Sequence, residues 1–414
     1  MPSITFTRRI LFATLLLAAG ALVSAAAQEP IKIGFSVSLT GGLAGAGKAH
    51  LLSKQIWAEE INAKGGLLGR QVKLVYYDDQ TNAATVPGIY AKLIDVDKVD
   101  LVMGAATNLI VAAMPQIMQR NKMVMVLVAL GSNAEFKYPK YFQSAPFGPD
   151  SNGVLSEAFF AVAKTLKPAP KTVALVGADA EYSNNVLTGA RLNAKKLGLQ
   201  VVYDRTYPPT TVDYTPIVRA IQAANPDVVL VASYPPDSVG MVRAATEVGL
   251  KTQLFGGAMV GLQFGALMGQ LGEKLNGVVN FHFYVPSEKM KFPGIEEFLS
   301  KFQARAKDVG VDPLGFYQPP FAYAAMQVLE QAVKATGTLD DDKLADYIHK
   351  HAFQTIVGEI KFNDLGEWAV GRPIMLQFQN VQGAGLDQFK TGHKQVIVYP
   401  PQYKDGELHY PYAK

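Results

Sequence analysis

Short β-rich runs alternate with longer amphipathic segments along the first part of the chain. The β-rich runs lie at Ile31–Ser38, Gln71–Asp78, Asp100–Gly104 and Met123–Val128, and segments of helical length separate them. Strand–helix–strand repeats of this kind form parallel sheets with helices on both faces, and their crossovers are right-handed in nearly all cases. The pattern therefore predicts an α/β fold.

A helix is predicted between the first two strands. Leu52, Ile56, Trp57 and Ile61 recur at helical spacing and mark one apolar face. Gly65-Gly66 follows this face directly, which is typical of a helix that ends in a glycine C-cap.

The alternation of β-rich and helical segments begins again after a loop at Pro146–Gly153, which predicts a second α/β unit. Its predicted strands are Thr172–Gly177, Gln200–Thr206, Asp227–Ser233, Gln253–Gly257 and Gly277–Val285. Its predicted helices are Asn184–Leu197, Tyr214–Ala224 and Ser238–Val248. The chain then returns to helices at Pro293–Asp308, Pro320–Thr336 and Asp340–Lys350, and ends in β-like pieces at Glu359–Phe362, Met375–Gln379 and Gln395–Tyr399. Two similar lobes are expected.

The first 27 residues predict an export signal. Thr7-Arg8-Arg9 forms a basic start, Ile10–Val23 is apolar and uncharged, and Ala25-Ala26-Ala27 supplies small residues for cleavage. The apolar run is too short to cross a ~30 Å hydrocarbon core comfortably as a helix. The mature protein is therefore expected in the periplasm, reached by the general or the twin-arginine export route.

Charge and cysteine content exclude several classes of protein. The chain has 39 basic and 35 acidic residues, and loss of Arg8 and Arg9 with the signal leaves a net charge of only 37 − 35 = +2. This balance does not predict a nucleic-acid-binding face. Cysteine is absent, so thiol chemistry is excluded, and the six histidines show no metal-ligand spacing. We expect no metal and no cofactor.

The sequence contains no complete catalytic or nucleotide-binding motif. Gly42–Lys48 matches the start of a phosphate-binding loop, but Ala49 stands where Ser or Thr would hold Mg²⁺. We interpret it as a glycine-rich strand–helix loop. Asp78 and Asp79 end a strand and would point to opposite faces, which favours a turn or cap role over an acid pair. No nucleophile signature is present, so an enzyme is not expected.

The sequence resembles the type I periplasmic solute-binding proteins of ABC importers, specifically the leucine/isoleucine/valine-binding family. The resemblance rests on Ile31-Lys32-Ile33-Gly34, Leu39–Gly42, Ile61–Arg70, Tyr77-Asp78-Asp79, Asp179–Tyr182 and Val248–Thr252. It implies two Rossmann-like lobes joined by three crossover segments, with the ligand in the cleft between them. The implied lobes are residues 28–145 plus 281–354 and residues 146–280 plus 355–414.

The resemblance also implies a function and its partners. A member of this family binds a small-molecule carboxylate by hinge closure and delivers it to an inner-membrane ABC permease and its ATPase. It works as a monomer and binds no nucleic acid. An alternative from another class remains open, namely a ligand-sensing protein that docks to a signalling receptor.

Ligand-binding positions carry over only where this chain matches the family. The implied set is Ala46, Thr107, Asn108, Gly131, Ser132, Tyr182, Tyr234 and Met259. Two positions depart from the pattern, because Ala46 replaces an aromatic residue and the stretch Gly256–Met259 lacks the acid that pairs with a ligand ammonium. Either Glu181 or Asp237 replaces that acid, or the ligand is a carboxylate without an amine.

Most of these residues also have a structural alternative. Thr107 and Asn108 could simply cap the next helix. Ser132 could satisfy a turn, and the two tyrosines could be half-buried aromatic residues of the surface. Met259 could belong to the core.

Overall fold

The computed structural model describes residues 28–105, 107–129, 132–150 and 153–412, without the side chain of Ser132. The predicted export signal and Gly131 lie outside these residues. Among the helices that the structure does describe, none is both long and apolar enough to span a bilayer.

The first sheet is parallel throughout. Its strands are β1 (Ile31–Val37), β2 (Val72–Asp78), β3 (Leu101–Met103), β4 (Val124–Val126) and β5 (Tyr141–Gln143). They lie in the order β2-β1-β3-β4-β5. The helices between these strands are α1 (Ala44–Ala63), α2 (Val86–Asp95), α3 (Met114–Gln119) and α4 (Ser132–Phe136).

The second sheet has seven described strands. They are β6 (Thr172–Ala178), β7 (Gln200–Tyr207), β8 (Val228–Ser233), β9 (Leu254–Met259), β10 (Val279–His282), β13 (Ile374–Phe378) and β14 (Gln395–Tyr399), and a separate hairpin consists of β11 (Ala352–Thr355) and β12 (Gly358–Lys361). The order is β14-β13-β10-β9-β8-β6-β7. Strands β6 to β10 are parallel, whereas β13 is antiparallel to both of its neighbours.

Helices also separate the strands of the second sheet, and the chain then returns to the first lobe. The helices are α5 (Val154–Ala163), α6 (Glu181–Lys196), α7 (Thr215–Ala223), α8 (Pro235–Val248), α9 (Gly265–Leu271), α10 (Ile295–Val309), α11 (Pro319–Thr336) and α12 (Asp341–Lys350). Helices α10 and α11 pack on α1, where Trp57 Nε1 donates to Glu330 Oε2 at 2.9 Å. The chain therefore passes between the lobes three times, after β5, β10 and β12.

The predicted α/β class and the two-lobed plan are confirmed. The glycine C-cap of α1 is also confirmed, because the Gly66 amide donates to the Ile61 carbonyl at 2.8 Å and Gly65 and Gly66 have φ of +95° and +80°. Strands β5 and β11 were not predicted, because runs of three or four residues are too short to show a period. The lobe boundaries stay a prediction; β10 pairs within the second sheet and β11 packs on α11.

Candidate functional site

The loops that follow the strands of the two lobes meet in one cleft. In open α/β sheets, ligands bind outside the carboxyl ends of the strands. Asn108, just after β3, reaches Glu181 at the start of α6, and its Nδ2 donates to Glu181 Oε1 at 2.8 Å. The two lobes are therefore bonded directly to each other at this point.

Two neighbouring acids shape the first loop of this cleft. Asp78 Oδ1 accepts hydrogen bonds from the backbone amides of Leu39 at 2.8 Å and Thr40 at 3.3 Å. Asp79 is buried and accepts from Ser38 Oγ and from the Thr81 amide. Both carboxylates organise the turn after β1, which confirms the predicted turn and cap role.

The glycine-rich loop brings α1 close to β1. A Cβ atom on Gly47 would lie 2.0 Å from the carbonyl oxygen of Ser38, whereas one on Gly42 or Gly45 would meet open space. Gly47 is therefore required for close packing of helix on strand. Ala46 lies beside it in the first turn of α1 and is partly exposed.

The loops after β3 and β4 carry the other candidates of the first lobe. Thr107 caps the following 3₁₀ turn, since its Oγ1 accepts from the Leu109 amide at 3.5 Å. Ser132 opens α4. Two hydrogen bonds in series hold the loop after β4 in place. The Ala129 amide donates to Gln143 Oε1 at 2.6 Å, and Gln143 Nε2 donates to Glu367 Oε2 at 2.6 Å.

Tyr182 and Tyr234 are brought together in the second lobe. Their rings lie 5.7 Å apart at 74°, and the Tyr182 amide donates to the Tyr234 hydroxyl at 3.0 Å. The Tyr182 hydroxyl donates to the Ala258 carbonyl at 3.2 Å. Burial raises the pKa of Tyr182 well above its usual value, and nearby Tyr317 adds to the effect. Both phenols therefore stay neutral hydrogen-bonding groups.

Met259 lies in the core at the end of β9. Its side chain is buried, and the side-chain amide of Asn280 binds its backbone on both sides, at 2.8 Å to the amide and 2.9 Å to the carbonyl. Gly256 and Gly257, just before it, have φ of +128° and +115°, and a Cβ on Gly256 would lie 1.9 Å from the Val279 carbonyl oxygen. The strand is thus held tightly against β10.

The two acids considered as ammonium partners have different surroundings. Asp237 is 6% exposed and its carboxylate accepts from the Tyr207 hydroxyl at 2.6 Å. Burial raises the pKa of Asp237. Glu181 is exposed and lies at the cleft, bonded to Asn108. Only Glu181 therefore combines a position at the cleft with an exposed carboxylate.

Sequence reasoning missed a buried basic pair on α1. Lys54 is 1% exposed, and its Nζ lies 3.4 Å from the Gly104 carbonyl oxygen and 3.8 Å from the centre of the Phe35 ring. Burial lowers the pKa of Lys54 to about 7. His50, one turn earlier, is 4% exposed and its Nε2 has no hydrogen-bond partner among the described residues. The spacing of His50 and Lys54 could have indicated their burial, since both lie at helical intervals from Trp57 and Ile61 on the apolar face of α1.

The segment before α11 also contacts the second lobe, and no sequence pattern predicted this. Asp312 Oδ1 accepts from the Gly265 amide at 2.7 Å, and burial raises the pKa of Asp312 to about 6. Tyr317 stacks on Phe283 with ring centres 5.2 Å apart. These contacts hold the returning chain against the second sheet.

A wide concavity of the described residues lies away from this cleft. It has a volume of about 1120 Å³ and is bordered by Tyr284, Ser287, Gln303, His393 and Asp405. It is a wide groove beside α10 and the C-terminal segment, and none of the loops described above lines it. We assign the candidate site to the cleft because Asn108, Glu181 and the tyrosine pair converge there.

Comparison with known proteins agrees with the two-lobed α/β fold. The chain is similar to "Leu/Ile/Val-binding protein homolog 7" of Brucella abortus, with 28% identity over 328 residues that cover 76% of this chain and 79% of the relative. It is similar in structure to the branched-chain amino acid transporter substrate binding protein of Streptococcus pneumoniae in complex with isoleucine. That similarity has a TM-score of 0.72 at 21% identity and covers 89% of this chain and 100% of the other.

A second solved structure with the same fold holds a different ligand. It is a solute binding protein of an ABC transporter from R. palustris in complex with 4-hydroxybenzoate, with a TM-score of 0.71, 19% identity and coverage of 86% of this chain and 95% of the other. The family model described as "Periplasmic binding protein" matches residues 30–374. The chain therefore belongs to the periplasmic binding protein family.

Proposed function

We propose that the protein captures a small carboxylate-bearing molecule between its lobes and delivers it to an ABC permease and its ATPase in the inner membrane. The observation that supports this proposal is the hydrogen bond from Asn108 to Glu181, which joins a loop of the first lobe to a helix of the second. Hinge closure buries a ligand, and a partner can recognise the closed shape.

The ligand class is an amino acid or an aliphatic or aromatic acid. Relatives are named for leucine, isoleucine and valine, and structures with this fold hold isoleucine or 4-hydroxybenzoate. All of these ligands carry a carboxylate. The proposed contacts are Ala46, Thr107, Asn108, Gly131, Ser132, Tyr182, Tyr234 and Met259. Glu181 is the acid proposed for an ammonium group, if the ligand has one.

The proposed setting follows from the N-terminal pattern and the family. Cleavage near Ala27 would release the protein into the periplasm, where it acts as a monomer without a cofactor and without catalysis. No observation on the described residues favours docking to a signalling receptor or to nucleic acid.

A thermal-shift screen tests the proposed function. The probes are leucine, isoleucine, valine, benzoate, 4-hydroxybenzoate and short aliphatic acids. A ligand that binds only the folded state at a concentration of 100 Kd stabilises it by about 2.7 kcal/mol. We expect at least one acid to raise Tm by several degrees. Absence of any shift across all of these acids would count against the proposal.

A pair of variants locates the binding site. Tyr182→Ala removes a proposed contact, and we expect it to weaken the best acid at least tenfold in calorimetry. Tyr203→Ala is the matched control, because Tyr203 lies on the edge strand β7 and is not among the proposed contacts. Equal effects of the two substitutions would place the ligand elsewhere.

A further inference from the structure

We propose that the buried ammonium of Lys54 is the specificity-determining cation of the cleft, and that it selects a ligand carboxylate over the corresponding neutral amide. The proposal rests on the proposed function and deepens it, since it assigns the carboxylate its counter-charge. It concerns a residue that neither the sequence pattern nor the family resemblance had singled out.

Lys54 lacks the partner that a buried lysine normally has. It is 1% exposed, and no carboxylate of the described residues lies within ion-pair distance of it. Its described polar contact is one long hydrogen bond, 3.4 Å from Nζ to the Gly104 carbonyl. Buried charges are usually paired, because removing an ion from water is costly. A bound anion would supply the missing charge.

The position of the ammonium relates it to the ligand loop. Gly104 directly follows β3 and begins the loop that continues to Thr107 and Asn108. Asn108 contacts the opposite lobe, so the outer side of this loop forms the wall of the cleft. Lys54 lies against the inner side of the same loop. The described contact of Lys54 is with the Gly104 carbonyl at the start of the loop. A carboxylate bound near that end of the loop would lie in a region of low dielectric, which strengthens its attraction to the ammonium.

His50 is a second, independent sign of an unfilled polar position. It lies four residues before Lys54 on the same helix face, is 4% exposed, and leaves Nε2 without a partner among the described residues. Burial lowers the pKa of His50 well below its usual value, and the nearby Lys54 charge lowers it further. A positive charge on Lys54 therefore disfavours a second positive charge on His50.

The other charged groups around α1 are already engaged farther along the helix. From β1, Lys54 meets the uncharged ring of Phe35. From α10, Lys301 pairs with Glu60 at 2.8 Å and Arg305 pairs with Glu59 at 2.8 Å. From α11, Glu330 and Tyr323 bind Trp57 and Glu60. Among these contacts, His50 is the titratable neighbour on which the Lys54 charge acts.

Matched acid and amide ligands test the proposal. Calorimetry would compare benzoate with benzamide and leucine with leucinamide, and likewise the amide of any other acid that binds. We expect the wild type to prefer the acid by more than tenfold. Lys54→Met keeps the length and apolar stem without the charge, and should reduce this preference to about two- to threefold or less by weakening the acid. Lys48→Met is the control on the same helix, and should leave the preference unchanged.

Proton uptake by the wild type provides a measurement that does not depend on the variant. At pH 8, Lys54 with a pKa near 7 is mostly neutral in the free protein, so an arriving carboxylate should draw a proton onto it. Binding enthalpies in two buffers of different ionisation enthalpy report this uptake. We expect a net uptake of more than half a proton for an acid and none for its amide.

The outcomes separate the two proposals. Suppose that an acid binds, that Lys54→Met keeps the wild-type preference for acid over amide, and that the wild type takes up no proton on binding. The proposed role of Lys54 is then wrong, and the proposed function stands. If acid and amide both weaken equally in the variant, Lys54 only supports the loop and the proposal is overturned. If none of the carboxylates binds the wild type, the proposed function fails and the role of Lys54 fails with it.

Discussion

Two buried ionisable groups contact the two loops of the first lobe that are proposed to bind the ligand. Lys54 contacts the loop after β3, and Glu367 reaches the loop after β4 through Gln143. Glu367 is 4% exposed, and burial raises its pKa to about 8. A carboxyl group in such a place is neutral at low pH and costs free energy when it ionises, because no cation of the described residues pairs with it to offset its desolvation.

Glu367 should make the stability of the protein fall as pH rises. Its folded pKa of about 8 exceeds its unfolded value, so the folded state binds more protons between about pH 4.3 and 8. Its stabilising contribution is full below the unfolded pKa and is lost as pH rises through the folded pKa. Glu367→Gln removes this loss. Urea unfolding at pH 5, 6.5 and 8 should show a stability gain that grows with pH, by up to about 1.4 kcal/mol per pH unit.

Glu359→Gln is the control for this titration, since Glu359 is exposed on the hairpin. Its stability profile should run parallel to that of the wild type. A parallel profile for Glu367→Gln as well would mean that Glu367 ionises normally in the folded protein.

Helix α1 contacts several separate parts of the first lobe. Its first turn packs on Ser38 through Gly47, its middle places Lys54 under the loop after β3, and its last turns bind the returning helices α10 and α11. One amphipathic helix therefore couples the glycine-rich loop, the buried lysine and the chain return. Its N-terminal end depends on a glycine because strand and helix approach so closely there.

Gly47→Ala should destabilise the protein, and Gly45→Ala should not. An added Cβ at Gly47 overlaps the Ser38 carbonyl, and overpacking of this kind costs about 1–3 kcal/mol. The same methyl group at Gly45 meets open space, and the substitution lowers the entropy of the unfolded chain. Urea denaturation measures both changes. A loss for Gly47→Ala no larger than that for Gly45→Ala would contradict the packing argument.

Direct hydrogen bonds connect the two lobes at two described places. Asn108 bonds to Glu181 at one side, and Asp312 on the returning segment accepts from the Gly265 amide of the second lobe. Three crossovers connect the lobes, so a hinge motion would separate these contacts without unfolding either sheet. Closure is therefore expected to depend on a few hydrogen bonds and on the ligand.

Small-angle scattering should show a smaller radius of gyration with a saturating ligand than without one. Glu181→Ala removes the bond to Asn108 and should weaken ligand binding about two- to tenfold, the loss expected for one hydrogen bond. Glu247→Ala, on α8, is an exposed control that should change neither quantity. An unchanged scattering profile at saturation would contradict closure.

Periodicity was sufficient for the class of fold and for most of the elements. The runs that became β1, β6 and β8 are long and β-branched, and the apolar face of α1 repeats through Leu52, Ile56 and Ile61, so local sequence specified each of these elements strongly. Strand β5 was not predicted because a run of three residues is too short to show a hydrophobic period. The caps at Asp78 and Asp79 were predictable because adjacent strand residues face opposite sides.

The contacts across the cleft depend on how distant segments meet in three dimensions. Asn108 and Glu181 are 73 positions apart, and Gly265 and Asp312 are 47 apart, so no local pattern relates either pair. Lys54 was hidden for a related reason: a lysine in an apolar stripe normally extends its charge to water, and only the packing of β1, β3 and their loops shows that this ammonium is enclosed. Local sequence determines which elements form, whereas burial and charge pairing depend on which elements become neighbours.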